Sequence, residues 1–482
     1  MSMARRLTAL PLVKSAQASR EVLRAVYFDT PQGHLQKARA GLRLRRESGQ
    51  WVQTFKIERG PSERLELNAP LPVRSAQPPA LAIHLIDAGI ELPDPRGGKS
   101  RIALTDIASR LEPLFETRVR RTLWRVSYQG SQLELAFDRG DVVAPDGAMA
   151  AVHELEIELL EGQPESLWHL ARALTEQLGE GLVLEPRAKA ARGYALAGGW
   201  RWPNVADVIS QKADQHRLDM AFKQALSETV EALSWQIARI LETEESEGPH
   251  QLRVALRRFR SVMKLVRPLL AAPEWRDLEQ ASKALASRVG VLRDRDVLAE
   301  DVLAPLVRLV PQDEDIQRLS TLLGQERQRA REALRSHLRS VEVQRFVLDL
   351  ALAAGRSLPG LSAVHAADFA KEQLKRLAKR ARRREAALDA APEQANAEAR
   401  HELRLAYKSL RYAAGWLGQI GAGAQAEAAR RRASKRQQQL GEQQDASMAL
   451  GLVSQLLSEE PLSRQARLKG MLEGWLLAKG LV

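Results

Sequence analysis

The hydrophobic period of this chain changes once, near residue 200, and that change constrains the fold more than any other feature. From 21 to 160 the residues alternate with period two, as a β-strand requires. From about 205 onward apolar residues recur at i, i+3, i+4 and i+7, the period of an amphipathic helix. One uniform architecture is therefore excluded. The 482 residues suffice for two or three domains. Gly198, Gly199 and Pro203 mark a linker near 195–207.

The strand segments are LRLR (42–45), WVQTFKIE (51–58), RLELNAPL (64–71), TRVRRTLWRVSY (117–128), QLELAFD (132–138) and HELEIELL (153–160). Turn formers such as Asp29-Thr30-Pro31, Gln129-Gly130 and Pro145-Asp146-Gly147 separate them. Segment 76–95 reads as a loop and 164–178 as a helix. Charge also repeats at i and i+2: Arg43 with Arg45, Arg118 with Arg120, and Glu154 with Glu156 and Glu158. For any one pair a solvated strand face is the simpler reading. Together they fit a barrel with a charged interior, in which basic residues hold an anion and carboxylates a bridging metal. Alternate Cβ atoms point the same way, so the three glutamates converge on one side of one strand. Oxygen-only ligands suit Mg²⁺ or Mn²⁺.

The helical half carries an internal repeat. His250-Gln-Leu-Arg-Val-Ala-Leu-Arg-Arg-Phe-Arg260 aligns without a gap on His401-Glu-Leu-Arg-Leu-Ala-Tyr-Lys-Ser-Leu-Arg411, at an offset of 151. Gly290 and Gly441 follow at the same distance, and then Asp294 and Asp445. A duplicated helical unit follows. At about 100° per residue, His250, Arg253, Arg257, Arg260 and Lys264 share one helix face. So do His401, Arg404, Lys408 and Arg411. A stripe of like charge destabilises its own helix unless counter-charge arrives. Two such stripes predict an anion-binding groove, with Asp294 and Asp445 orienting its cations or capping helices. Lys371, Lys375, Arg376, Lys379, Arg380, Arg382, Arg383 and Arg384 form a further, less specific basic run.

The charge balance agrees. The chain has 73 Lys and Arg against 60 Asp and Glu, a net +13. Residues 1–200 hold 27 basic and 24 acidic residues, whereas 201–482 hold 46 and 36. The excess is local, as a binding face requires. The absence of Cys excludes disulfides, thiolate metal sites and a thiol nucleophile. With no apolar run of about 18 residues, no membrane span is expected. The N-terminus reads as folded chain, not as a signal peptide.

Both halves resemble known families. YFDTP (27–31), GLRLRRE (41–47), WVQTFK (51–56), FETRVRRTLW (115–124), LAFDRGDV (135–142), HELEIELLEG (153–162) and KAARGY (189–194) resemble the CYTH domain. That family is named for bacterial class IV adenylate cyclases and thiamine triphosphatases. It is a tunnel-like antiparallel barrel that binds triphosphate with a divalent metal. The duplicated HxxRxxx(R/K)xxR resembles the CHAD domain, a helical bundle associated with polyphosphate. In this order the two resemble bacterial CYTH–CHAD proteins of the inorganic triphosphatase type.

The resemblance implies an α+β chain: an antiparallel triphosphate-tunnel barrel over 1–200, then an all-α duplicated bundle over 201–482. It implies Arg43, Arg45, Arg64, Arg118, Arg120 and Lys189 as triphosphate ligands. Lys56, Glu154, Glu156 and Glu158 become catalytic groups, and the three glutamates metal ligands. Glu66, Glu134 and Asp138 are further candidates. His250, Arg253, Arg257, Arg260, Lys264, His401, Arg404, Lys408 and Arg411 become polyphosphate ligands. The family's opening Glu-x-Glu-x-Lys strand is not found upstream of MARRLTALPLV, which reads as the helix after it. Either the start codon lies further upstream or the barrel lacks its first strand.

The expected activity is metal-dependent hydrolysis of inorganic triphosphate, with polyphosphate binding by the helical half. The alternative is a polyphosphate-binding protein, docked on granules, whose barrel is inactive. Nucleic acid ranks lower, because the basic helices lack interleaved aromatics for base stacking. The expected location is the cytoplasm.

Overall fold

The computed structural model describes residues 3–38, 40–47, 50–58, 64–71, 81, 83–93, 101–198, 200–210, 212–270, 273–390 and 396–478, the side chains of 47, 58, 64, 83, 84, 93, 396, 397 and 439–447 excepted. Two compact units form: Met1–Ala171 with Glu185–Trp202, and Arg172–Leu184 with Pro203–Val482. No helix among the described residues is long and apolar enough to cross a membrane.

The first unit opens with helices Met3–Ala9 and Pro11–Lys14, on the segment read as a helix. Its strands are β1 (Ala18–Asp29), β2 (Ala40–Glu47), β3 (Gln50–Glu58), β4 (Arg64–Leu71), β5 (Glu91–Pro93), β6 (Arg101–Ala103), β7 (Glu112–Tyr128), β8 (Ser131–Val143) and β9 (Met149–Glu161). β5 and β6 form a separate pair. The other seven form one antiparallel sheet in the order β4-β3-β2-β1-β7-β8-β9. Among the described residues β4 and β9 pair on one side only, so the sheet is open where the sequence suggested a closed barrel. Closure needs ladder hydrogen bonds between the two edges.

Both faces of the sheet are covered in part. On one, Phe28, Leu42, Leu44 and Phe55 are buried with Leu35, Leu85, Leu92 and Ile107. Burial of each such side chain contributes about 1.5–3 kcal/mol. On the other, Ala25, Tyr27, Phe115, Val119, Val142 and Val152 pack with Tyr194. Tyr194 lies in the helix Lys189–Leu196, which this second cluster holds on the sheet. The helix approaches closely because residue 193 is Gly. Its neighbour Phe115 stacks on Tyr27 at 4.7 Å and meets Tyr194 edge-on at 5.5 Å.

The second unit is all helical. The repeat maps onto two helix pairs: Glu247–Val266 with Glu274–Val297, and Asn396–Leu417 with Gly423–Leu456. Each motif helix buries the face opposite its cations, with Leu252, Leu256, Phe259 and Met263 in the first and Leu403, Tyr407, Leu410 and Ala414 in the second.

A Cβ on residue 193 would meet the Phe115 ring at 2.2 Å. Overpacking of this kind costs about 1–3 kcal/mol. Gly193→Ala is therefore expected to lower the thermal unfolding midpoint, despite the better helix propensity of Ala; an unchanged midpoint in calorimetry would refute the close packing.

Candidate functional site

Strand register decides which charges share a face, because directly paired residues point to the same side. Ala25 pairs with Arg45 and Tyr27 with Arg43. Gly41 pairs with Lys56, and Lys56 with Glu66. Across the sheet, Arg121 pairs with Asp138, Asp138 with Glu154, and Glu134 with Glu158. One face thus carries Arg43, Arg45, Lys56, Glu66, Arg121, Asp138, Glu154, Glu156 and Glu158. It is also the face that Tyr194 covers.

Asp138 is fully buried there. Carboxylate oxygens of Asp138, Glu154 and Glu156 lie within 4.8 Å of one another. Cations converge on them. Arg121 spans Asp138 at 2.6 Å and Glu156 at 2.5 Å. The Lys189 ammonium reaches Asp138 at 2.8 Å, Glu154 at 2.5 Å and Glu156 at 2.6 Å. Arg192 bridges Glu154 at 2.9 Å to Glu185 at 3.1 Å. Burial opposes the charge on Lys189, but Glu156, Glu154 and Asp138 outweigh it and raise its pKa well above the ordinary lysine value. Burial likewise opposes ionisation of Asp138, but Arg121 and Lys189 hold its carboxyl below the usual range. Three oxygen donors without nitrogen or sulfur fit a hard divalent cation.

The expected residues divide accordingly. Glu154, Glu156 and Lys189 meet in this cluster, together with Asp138. Glu158 is exposed, opposite Glu134, and outside it. Glu134 instead reaches Arg125 at 3.5 Å. Arg43 and Arg45 lie on the same face; Arg43 donates to the Tyr27 hydroxyl at 3.2 Å. The Nε of Arg43 is buried without a hydrogen-bond partner among the described residues. Lys56 pairs with Glu66 at 2.7 Å. Arg118 and Arg120 project from the opposite face, where both are exposed and Arg118 pairs with Glu116 at 2.9 Å. Arg64 opens β4, and its side chain lies outside the described residues.

Arg121 and Arg192 are the members that sequence reading missed. In Arg118-Val-Arg-Arg121 the period-two pair drew attention, but register selects its neighbour. Arg192 follows Lys189 by three positions, a helical spacing that places both on one face. The Asp of YFDTP has a structural part. Asp29 accepts from the backbone N–H groups of Thr30 (2.7 Å), Leu35 (2.9 Å) and Gln36 (2.9 Å). Burial, and then Asp29, pushes the Tyr194 hydroxyl well up.

In the helical unit the motif cations keep little counter-charge. Arg253 pairs with Asp294 at 3.0 Å. The side chain of Asp445 lies outside the described residues. Among the described residues no carboxylate pairs with Arg257, Arg260, Lys264, Arg404, Lys408 or Arg411. The two stripes meet: the Arg257 guanidinium lies 4.0 Å from the Tyr412 ring centroid. Burial, then Arg404, Arg257, Arg253 and Arg260, lowers the Lys408 pKa. Burial, then Arg293, Arg257 and Arg253, lowers that of His250, with Glu247 opposing. His401 is exposed. Lys371, Lys375, Arg376, Lys379, Arg380, Arg382 and Arg383 line the exposed side of the helix Ala366–Asp389.

Comparison with known proteins follows the same division. The CYTH domain model matches residues 3–194 and the CHAD domain model residues 224–454. An inorganic triphosphatase of Haemophilus influenzae is 29% identical over 205 residues, 41% of this chain and 53% of that protein. The chain thus spans about half the length of that relative. An uncharacterized protein of Mycobacterium tuberculosis is 25% identical over 84% of this chain and 78% of its own length. The crystal structure of the CHAD domain from the plant Ricinus communis matches 58% of this chain and 91% of that chain, with 24% identity and a TM-score of 0.47.

The Lys408 pKa yields a signed prediction. A lysine with a lowered folded pKa binds its proton less tightly than in the unfolded chain. Stability is therefore withheld at neutral pH and regained as pH rises from the folded value toward 10.5. Lys408→Met is expected to raise the thermal midpoint near neutral pH by roughly 2–4 °C. The gain should shrink in alkaline buffer; a midpoint lowered at neutral pH would contradict the crowding of like charge.

Proposed function

The chain carries a CYTH domain over 3–194 and a CHAD domain over 224–454, and from that premise we propose that it hydrolyses inorganic triphosphate with a divalent metal and binds polyphosphate on its helical unit. The observation that carries the first part is the meeting of Asp138, Glu154 and Glu156 on the sheet face that also bears Arg43, Arg45 and Lys56. The name of the Haemophilus relative supports the same reaction.

In this reading Asp138, Glu154 and Glu156 hold Mg²⁺ or Mn²⁺. Bound there, the ion supplies charge neutralisation on phosphoryl oxygens. Phosphoryl transfer needs positioning and electrostatic stabilisation more than covalent chemistry. Arg43, Arg45, Lys56 and Arg121 neutralise phosphate oxygens. Lys189, in contact with the same carboxylates, would offer its ammonium to the substrate where a metal compensated them. A carboxylate of the cluster orients the attacking water. Tyr194 and the apolar residues around it exclude bulk water, which strengthens each of these interactions. The helical groove binds a phosphate chain by counterion release. We place this activity in the cytoplasm, with granule docking through the helical unit.

One observation favours a second reading, a polyphosphate-binding protein without hydrolysis. The Lys189 ammonium already compensates the three carboxylates. The two readings separate in one set of assays. Purified chain with tripolyphosphate and Mg²⁺ or Mn²⁺ is expected to release phosphate, to stop in EDTA, and to slow roughly 100-fold in Glu156→Gln. No release by folded protein with either metal leaves the binding reading alone. Polyphosphate affinity is expected to fall steeply with salt, and to vanish when Arg253, Arg257, Arg404 and Lys408 are all changed to Glu. Unaltered binding by that quadruple variant would remove the groove.

A further inference from the structure

Among the positions where the two repeats differ, one lies directly after the motif. The residue after the last Arg of each motif is Ser261 in the first repeat and Tyr412 in the second. Two guanidiniums gather on the Tyr412 ring. Arg257, from the first repeat, lies 4.0 Å from its centroid, and Arg411, from the second, lies 4.7 Å away. Arg411 also donates to the Tyr412 hydroxyl at 2.9 Å. The Ser261 hydroxyl donates instead to the Arg257 carbonyl of its own helix at 2.8 Å. Among the described residues Lys408, the counterpart of Arg257, makes no such ring contact.

Like charges brought this close repel. Burial, then Arg411 and Arg253, lowers the Arg257 pKa. A carboxylate between the two arginines would hold them together, but it would also neutralise them and repel phosphate. An aromatic face attracts cations through its quadrupole and leaves their charge intact. We propose that Tyr412 is a positioning residue for phosphate binding: its ring holds one guanidinium from each repeat side by side, as a preformed clamp for adjacent phosphates of a condensed phosphate chain. The clamp rests on the polyphosphate reading given above. Preorganisation of this kind raises affinity by reducing the ordering cost at binding.

The test is calorimetric titration of the full chain with tripolyphosphate and with a long polyphosphate, at several salt concentrations. Tyr412→Leu and Tyr412→Met remove the π face and are expected to weaken binding roughly fivefold to tenfold. Tyr412→Phe keeps the face and is expected to stay within about twofold of the parent. The salt dependence should be unchanged in all three, because the number of cations is unchanged, whereas Arg257→Gln should flatten it. A merely structural role would lower the thermal midpoint of Phe and Leu variants alike without this pattern. Binding by Leu and Met variants equal to the parent, or a Phe variant as weak as they are, overturns the clamp. If Tyr412→Leu does not fold, the Met and Phe variants decide by the same criteria. A parent chain that binds neither phosphate overturns the polyphosphate reading itself, which is a different result from parental binding without a Tyr412 effect.

Discussion

Compensation of like charge concentrated on one face is the constraint on which both units depend. Three carboxylates with oxygens within 4.8 Å of one another, Asp138 buried and Glu154 and Glu156 half-buried, repel one another unless cations lie among them. In the sheet unit Arg121 and Lys189 supply those cations, and Arg192 extends them toward Glu185. This explains why the short helix Lys189–Leu196 must dock where it does. Its first residue carries the compensating charge, and its apolar residues Ala190 and Tyr194 bury themselves on the sheet beside it.

The helical unit meets the same constraint differently. Among the described residues its motif cations crowd together with one paired carboxylate, Asp294. Burial, and after it the neighbouring cations, lowers the pKa values of Lys408, Arg257 and His250. Burial of the opposite helix faces, with Leu252, Leu256, Phe259, Leu403 and Leu410, offsets the repulsion among these cations. In the polyphosphate reading proposed above, repulsion of this kind is what a bound polyanion would relieve.

Most of the architecture was legible in the chain. Period two located β2, β3, β4, β7, β8 and β9, because alternation records which residues meet water and which meet the core. Period 3.6 and the duplicated motif located the paired helices. Legibility failed where chemistry depends on pairing between distant strands. Arg118 and Arg120 looked equivalent to Arg43 and Arg45, since each pair repeats at i and i+2. Yet a one-residue difference in register puts them on the opposite face and brings Arg121 inward. Glu154, Glu156 and Glu158 looked like one set, but the cluster takes Asp138 in place of Glu158, because Asp138 sits directly opposite Glu154.

The sequence by itself determined the two-part organisation, the repeat, the local excess of positive charge and the two families that the segments resemble. These are properties of spacing along one chain, and spacing survives without a fold. Tertiary structure alone decided which charges meet: Arg121 and Lys189 with the carboxylates, Arg257 and Arg411 on Tyr412, and Lys56 with Glu66. It also decided that β4 and β9 end the sheet among the described residues. The physical reason is common to all of these. A side chain's neighbours across a ladder or between helices are fixed by register and packing, which set distances of a few ångströms between residues far apart in sequence.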